Sequence, residues 1–140
     1  MPVKHLARSD VVTAPPDESV RSLAESMADE SVGSVMITDD SEPVGIVTDR
    51  DLALRALAED ADPDDLTAAD VLSPDLYCIE AEQGFYRAAE LMSEHAVRRL
   101  PVVDSAGKLS GIITVDDLHE LLADEHQLLA SVIQRQRPPY

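Results

Sequence analysis

The feature that most constrains this chain is that its pattern is written twice. Displaced by 65 residues, Val3 falls on Ala68, Thr13 on Cys78, Met27 on Met92 and Val32 on Val97. One residue is added in a turn. At an offset of 66, Gly45-Ile46-Val47-Thr48 then meets Gly111-Ile112-Ile113-Thr114, and Asp51-Leu52 meets Asp117-Leu118. Identity between the copies is low, but the pattern is shared. Repetition at a fixed period means one supersecondary unit built twice, the copies burying each other's apolar faces.

Each copy reads as β-α-β-β-α. A short strand is expected at Val11–Thr13 and again at Leu76–Ile79. Val20, Leu23, Ala24 and Met27 follow at i, i+3, i+4 and i+7, the spacing of an amphipathic helix, and Phe85, Ala88, Ala89 and Met92 repeat it. Two β-branched runs then predict a hairpin, Val35–Thr38 with Val44–Val47 in the first copy. Leu100–Val103 with Leu109–Ile113 forms the second. Asp39–Glu42 and Asp104–Gly107 supply the turns. A last helix is expected from near Asp49 and from near Val115. Pro101 lacks a backbone donor, so it is expected at a strand start or an edge.

The fold class is therefore α/β (α+β in segregation), with sheets inside and helices outside. The expected parts are a first repeat over residues 2–60, an acidic linker over 61–66, a second repeat over 67–126 and a C-terminal helix extension and tail over 127–140. One unit of about 60 residues buries little apolar area. A pseudo-two-fold pair with one continuous core is the expected remedy. That core must be aliphatic: hydrophobic residues make up 44% of the chain, but aromatics only 3%.

At this point a resemblance is specific. Val32-Gly33-Ser34-Val35, Arg98-Arg99-Leu100-Pro101-Val102-Val103-Asp104 and the two segments Gly45–Leu52 and Gly111–Leu118 resemble the CBS domain family in its tandem arrangement, the Bateman module. The resemblance runs from about residue 2 to about residue 126. It implies a regulatory module that senses AMP, ADP, ATP or a related adenosyl ligand such as S-adenosylmethionine, with no catalytic cofactor.

The Gly-apolar-apolar-Thr-x-x-Asp motif occurs in both copies. A threonine hydroxyl and free N–H groups at a helix N-terminus suit a phosphate, and an aspartate three residues on suits a ribose diol. The resemblance makes Thr48 with Asp51, and Thr114 with Asp117, the ribose and phosphate grips. The same spacing is also a capping box, which needs no ligand. Arg98 and Arg99 offer guanidinium forks for phosphate; the alternative is a surface pair bonded to carboxylates. Their counterparts, Gly33 and Ser34, carry no charge, so two equal sites are not expected. The resemblance also places the base beside the first strand of each copy. Thr13, between Val12 and Ala14, would then face the grip of the second copy. Cys78, between Tyr77 and Ile79, would face the grip of the first.

Other chemistry finds little support. The five glycines are too dispersed for a phosphate loop or a dinucleotide fingerprint. No nucleophile elbow is present, and no enzyme is expected. His119 and His126 share a helix face, but no paired metal-ligand motif accompanies them, and no metal site is expected. A single cysteine allows no internal disulfide.

Net charge is −17, from 28 acidic against 11 basic residues. That surface repels nucleic acid and anionic membranes, which are not expected partners. With only two lysines, Lys4 and Lys108, it fits the cytoplasm of a halophilic archaeon, where roughly 1 M salt shortens the screening length to about 3 Å. An ordinary acidic protein is the alternative. No leader or spanning segment is visible, so the cytoplasm is the expected location. Finally, Leu118, Leu121, Leu122, Leu128, Leu129, Val132 and Ile133 continue an apolar stripe past the end of the second repeat. That stripe suggests a homodimer, with a regulated protein as a further partner; packing over the chain's own sheet is the alternative.

Overall fold

The computed structural model describes residues 1–73 and 75–139. Tyr140, the last residue of the expected C-terminal extension, lies outside them. A 3₁₀ turn at Val3–His5 opens the chain. The first copy then holds β1 (Thr13–Ala14), α1 (Val20–Glu30), β2 (Ser34–Asp39), β3 (Glu42–Thr48) and α2 (Asp49–Leu52), which runs on as a π-helical turn over Ala53–Leu57. The second holds α3 (Ala68–Val71), β4 (Ile79–Glu80), α4 (Phe85–His95), β5 (Arg99–Val103), β6 (Leu109–Thr114) and α5 (Val115–Gln136).

Two three-stranded sheets result, ordered β1-β2-β3 and β4-β5-β6. The first strand of each is parallel to its neighbour, and the other two form a hairpin. Asp40 and Ser41 take positive φ of 50° and 66° at the first hairpin turn, a geometry that matches strand twist in two-residue turns. The first strands begin two and three residues later than expected, at Thr13 and Ile79.

Pro101 corrects an expectation. It sits in the middle of β5, the central strand of its sheet, and pairs with Ile112. The equivalent Met36 donates its N–H to Val12 at 2.9 Å. Proline has no such donor. The ladder to the first strand therefore starts one position later, at Ile79 with Val102.

The helix stripes are narrower than their sequence spacing. Val20, Leu23 and Met27 are buried, as are Ala88 and Met92, while Ala24 and Ala89 stay exposed. The single continuous core is not found either. One cluster joins Val20, Leu23, Met27, Val35, Ile37 and Val47 to Ala68 and Val71 of α3. The other joins Ile79, Ala88, Met92, Leu100, Val102, Ile113 and Leu118 to Val3. Each copy's core is thus completed by the segment that opens the other copy. Strand alternation puts Met36 and Pro101, both buried, on the sheet faces turned away from these clusters.

The exchanged segments are tied down by main-chain bonds. Val3 donates to Gln83 at 2.7 Å, and Arg8 and Ile112 bond reciprocally at 2.9 and 3.0 Å. In the other direction, Ala68 donates to Glu18 at 2.8 Å and Ser73 to Ile46 at 3.3 Å.

Candidate functional site

A cleft of about 680 Å³ opens between the copies. Strand β3 brings Ile46 and Thr48 to it, and the start of α2 brings Asp49 and Arg50. The segment before β4 contributes Asp75, Leu76 and Tyr77. The end of α4 and the start of β5 contribute His95, Arg98, Arg99 and Pro101. Thr48 of the first grip and Tyr77 of the second copy's strand segment thus line one cleft.

Charge is the main property of this cleft. Four guanidinium groups line it, Arg50, Arg55, Arg98 and Arg99, in a chain with 11 basic residues in all. Asp49 and Asp75 are the acidic lining residues. Arg98 lies 3.5 Å from Asp116, and both side chains are 73% exposed, so water screens the pair heavily. Among the described residues Arg50 and Arg99 make no ion pair. Arg55 is held in place: its Nη1 donates to the carbonyls of Val71 and Leu72, each at 2.9 Å. Tyr77 and His95 stack at 3.6 Å with an 8° interplanar angle, giving the cleft an aromatic wall. Arg50, Arg55 and His95 were not read from the sequence. Arg50 lies inside the Thr48–Asp51 motif and Arg55 four residues after it, and that adjacency was the available signal. His95 carried none.

Both Thr-x-x-Asp motifs form complete capping boxes. A third, Thr67 to Asp70, forms the same box without a preceding glycine-bearing strand. The box is thus a general helix-start device in this chain. What separates the two motif copies is the carboxylate capacity left over. Asp51 accepts the Thr48 N–H at 2.9 Å through one oxygen, while among the described residues its other oxygen has only Arg55, at 3.9 Å. Asp117 is 7% exposed and fully engaged. One of its oxygens accepts the N–H and hydroxyl of Thr114, each at 2.8 Å, and the other accepts the Nε–H of Arg8 at 3.0 Å, with the Arg8 Nη2 also 3.0 Å away in the ion pair. Arg8 comes from the exchanged N-terminal segment. Its counterpart at Asp51 is Ser73, which has no charge.

Five expected site residues, Thr13, Asp51, Cys78, Thr114 and Asp117, are therefore not among those lining the cleft, although Asp51 directly follows the lining residue Arg50. Thr114 and Asp117 lie outside it, with Arg8 already on the carboxylate. Thr13 is exposed on β1 and pairs with Met36. Cys78 borders the cleft-lining segment 75–77 but does not line the cleft. Its half-buried thiol is pushed above the ordinary thiol range by desolvation, which is the inert setting for a cysteine.

Known proteins share the sequence pattern and the fold. An uncharacterized protein of Methanopyrus kandleri is 36% identical over 131 residues, which is 93% of this chain and 65% of that protein, so the chain spans just under two thirds of that relative. Hypoxic response protein 1 of Mycobacterium tuberculosis is 32% identical over 82% of this chain and 80% of its own length. Among solved structures, a CBS domain protein from Pyrobaculum aerophilum complexed with AMP superposes with a TM-score of 0.76 at 28% identity, over 84% of this chain and 90% of that one. The CBS domain family itself matches residues 3–57 and again 68–124, so the chain belongs to that family and carries two CBS domains in tandem.

Proposed function

We propose that this chain is a regulatory module, not an enzyme, that binds one adenine nucleotide in the cleft between its repeats and relays the change to a partner protein. The observation that carries this reading is the convergence of Arg50, Arg55, Arg98 and Arg99 on one cleft of a chain with net charge −17. Such a concentration of guanidinium groups against the chain's own acidity suits a phosphorylated ligand. The same charge disfavours S-adenosylmethionine, whose sulfonium is cationic. The AMP held by the Pyrobaculum relative supports the nucleotide class.

The roles follow from capacity. Asp51 has the spare oxygen to accept a ribose diol, Thr48 and the arginines face the phosphates, and Tyr77 and His95 wall the base. Asp117 has no spare acceptor, so one site per chain is the reading. Nucleotide binding shifts the relative orientation of the repeats only if it favours one orientation over the other. A homodimer working in the cytoplasm completes the proposal.

Titration calorimetry with AMP, ADP, ATP and S-adenosylmethionine tests it. One nucleotide per chain is expected, with S-adenosylmethionine weakest. Asp51→Ala, and Arg98→Ala with Arg99→Ala, are each expected to weaken binding by about tenfold or more, the scale of charge-assisted hydrogen bonds. Asp117→Ala should leave the affinity unchanged. No binding at millimolar nucleotide, or a loss confined to Asp117→Ala, overturns the reading. A ligand-independent docking module is the second reading, favoured by the capping boxes themselves. It predicts no heat of binding and an oligomer indifferent to nucleotide.

A further inference from the structure

A helix face and a groove of this chain are both uncovered, and they complement each other. Helix α5 is 22 residues long, and its last buried residue is Leu118. The stretch 123–136 extends about 20 Å further, almost wholly exposed. Leu128, Leu129, Val132 and Ile133 are 51–68% exposed on it. A helix of that length without packing is marginal in water, so this stripe needs a partner.

The groove lies on the first repeat, between α1 and the π-helical turn, and has a volume of about 420 Å³. Val20, Ala24, Ala28, Leu52, Ala56 and Leu57 line it. The alanines left outside the core on α1 make room for a close-approaching helix. The turn adds more uncovered apolar surface, with Leu54 51% and Leu57 80% exposed.

Charge identifies the occupant. Residues 126–140 contain Arg135 and Arg137 and no acidic residue, in a chain with 28 acids elsewhere. The groove has the opposite character. Its charged lining residues are Arg21, tied to Asp64 at 2.6 Å, and Glu25, and the exposed acids Asp29, Glu59, Asp60 and Asp62 lie next or next but one in sequence to its lining residues Ala28, Leu57, Ala61 and Pro63. A basic, leucine-striped helix end therefore meets an acid-rimmed apolar groove within one sequence.

We propose that residues 128–137, the end of α5 and its C-cap, dock in the groove of a second copy of this chain, reciprocally, with Arg135 and Arg137 against the acidic rim. This rests on the homodimer reading above. Reciprocal docking covers both apolar surfaces twice. Pairing α5 with α5 would leave the groove, Leu54 and Leu57 in water.

The test uses the full chain carrying Cys78→Ser. Ala28→Cys protein is mixed with Leu129→Cys protein and treated with a short bis-maleimide; the mixed pair is expected as the main cross-linked product. Self-cross-linking of either protein alone as the main product overturns the docking. In sedimentation, Leu129→Glu with Ile133→Glu, and separately Ala24→Glu with Ala28→Glu, should each raise the dimer dissociation constant by about a hundredfold, from loss of several buried side chains. These positions are exposed, and circular dichroism checks that the fold is kept. A wild-type dimer unchanged in either variant overturns the docking alone. A wild-type monomer at every concentration overturns the homodimer reading as well, whatever the nucleotide titration gives.

Discussion

Asp51 and Asp117 hold the same place in the two copies, yet their neighbours give them different chemistry. Asp117 is saturated by Thr114 and Arg8, while one Asp51 oxygen has, among the described residues, only Arg55 near it, at 3.9 Å. The approach of Arg8 depends on Gly111, where an added Cβ would meet the Arg8 carbonyl at 2.9 Å. Cys78 shows the same dependence on position. Burial favours its neutral thiol, so that contribution to stability is present below the thiol's unfolded pKa and fades as pH rises toward the raised folded value. Iodoacetamide should therefore alkylate native protein more slowly than urea-unfolded protein, with a pH–rate midpoint shifted upward. A native midpoint at or below the unfolded one rules this out. At this scale the Thr-x-x-Asp motifs and the Arg98-Arg99 pair were legible, because spacing and charge are local. The engagement of Asp117 was not, because Arg8 reaches it across 109 positions of sequence.

The elements carry the same lesson through packing. Strand and helix types followed from periodicity, and the hairpin turns from their Asp, Ser and Gly residues. The strand starts and the core did not. Pro101 shortened its ladder by removing one donor, a consequence visible only once its neighbours were known. The 65-residue offset that aligned Val3 with Ala68 also held the key to the core, since these two residues enter each other's repeats. Interlocking of this kind makes each repeat's stability depend on the other's segment. Val3→Ala removes buried methyl groups from the second cluster and should cost about 2 kcal/mol, the transfer loss with little relaxation. Because the segments are exchanged, urea should still unfold the whole variant in one transition, read by circular dichroism. A two-step curve, with the first repeat unaffected, would show that the exchange does not couple the copies.

For the whole molecule, one charge distribution serves two opposed demands. Net charge −17 strains the compact state through self-repulsion, and the cleft concentrates the opposite sign against it. Salt acts on both, in opposite senses. Raising NaCl from 0.1 to 1 M shortens the screening length from about 10 Å to about 3 Å. Repulsion among the carboxylates, spread over the whole surface, is then largely removed, so Tm should rise over this range. The attraction of the four guanidinium groups for a nucleotide's phosphates is screened by the same ions, so nucleotide affinity should fall. A parallel series of thermal melts and nucleotide titrations against NaCl reads both. A Tm indifferent to salt would remove the physical ground for a halophile setting. An affinity indifferent to salt would mean that the arginines do not meet the phosphates. If both trends hold, a chain adapted to concentrated salt must bind its nucleotide with contacts that salt does not screen. On the proposed reading, Asp51 on the ribose and the Tyr77–His95 pair against the base would supply them.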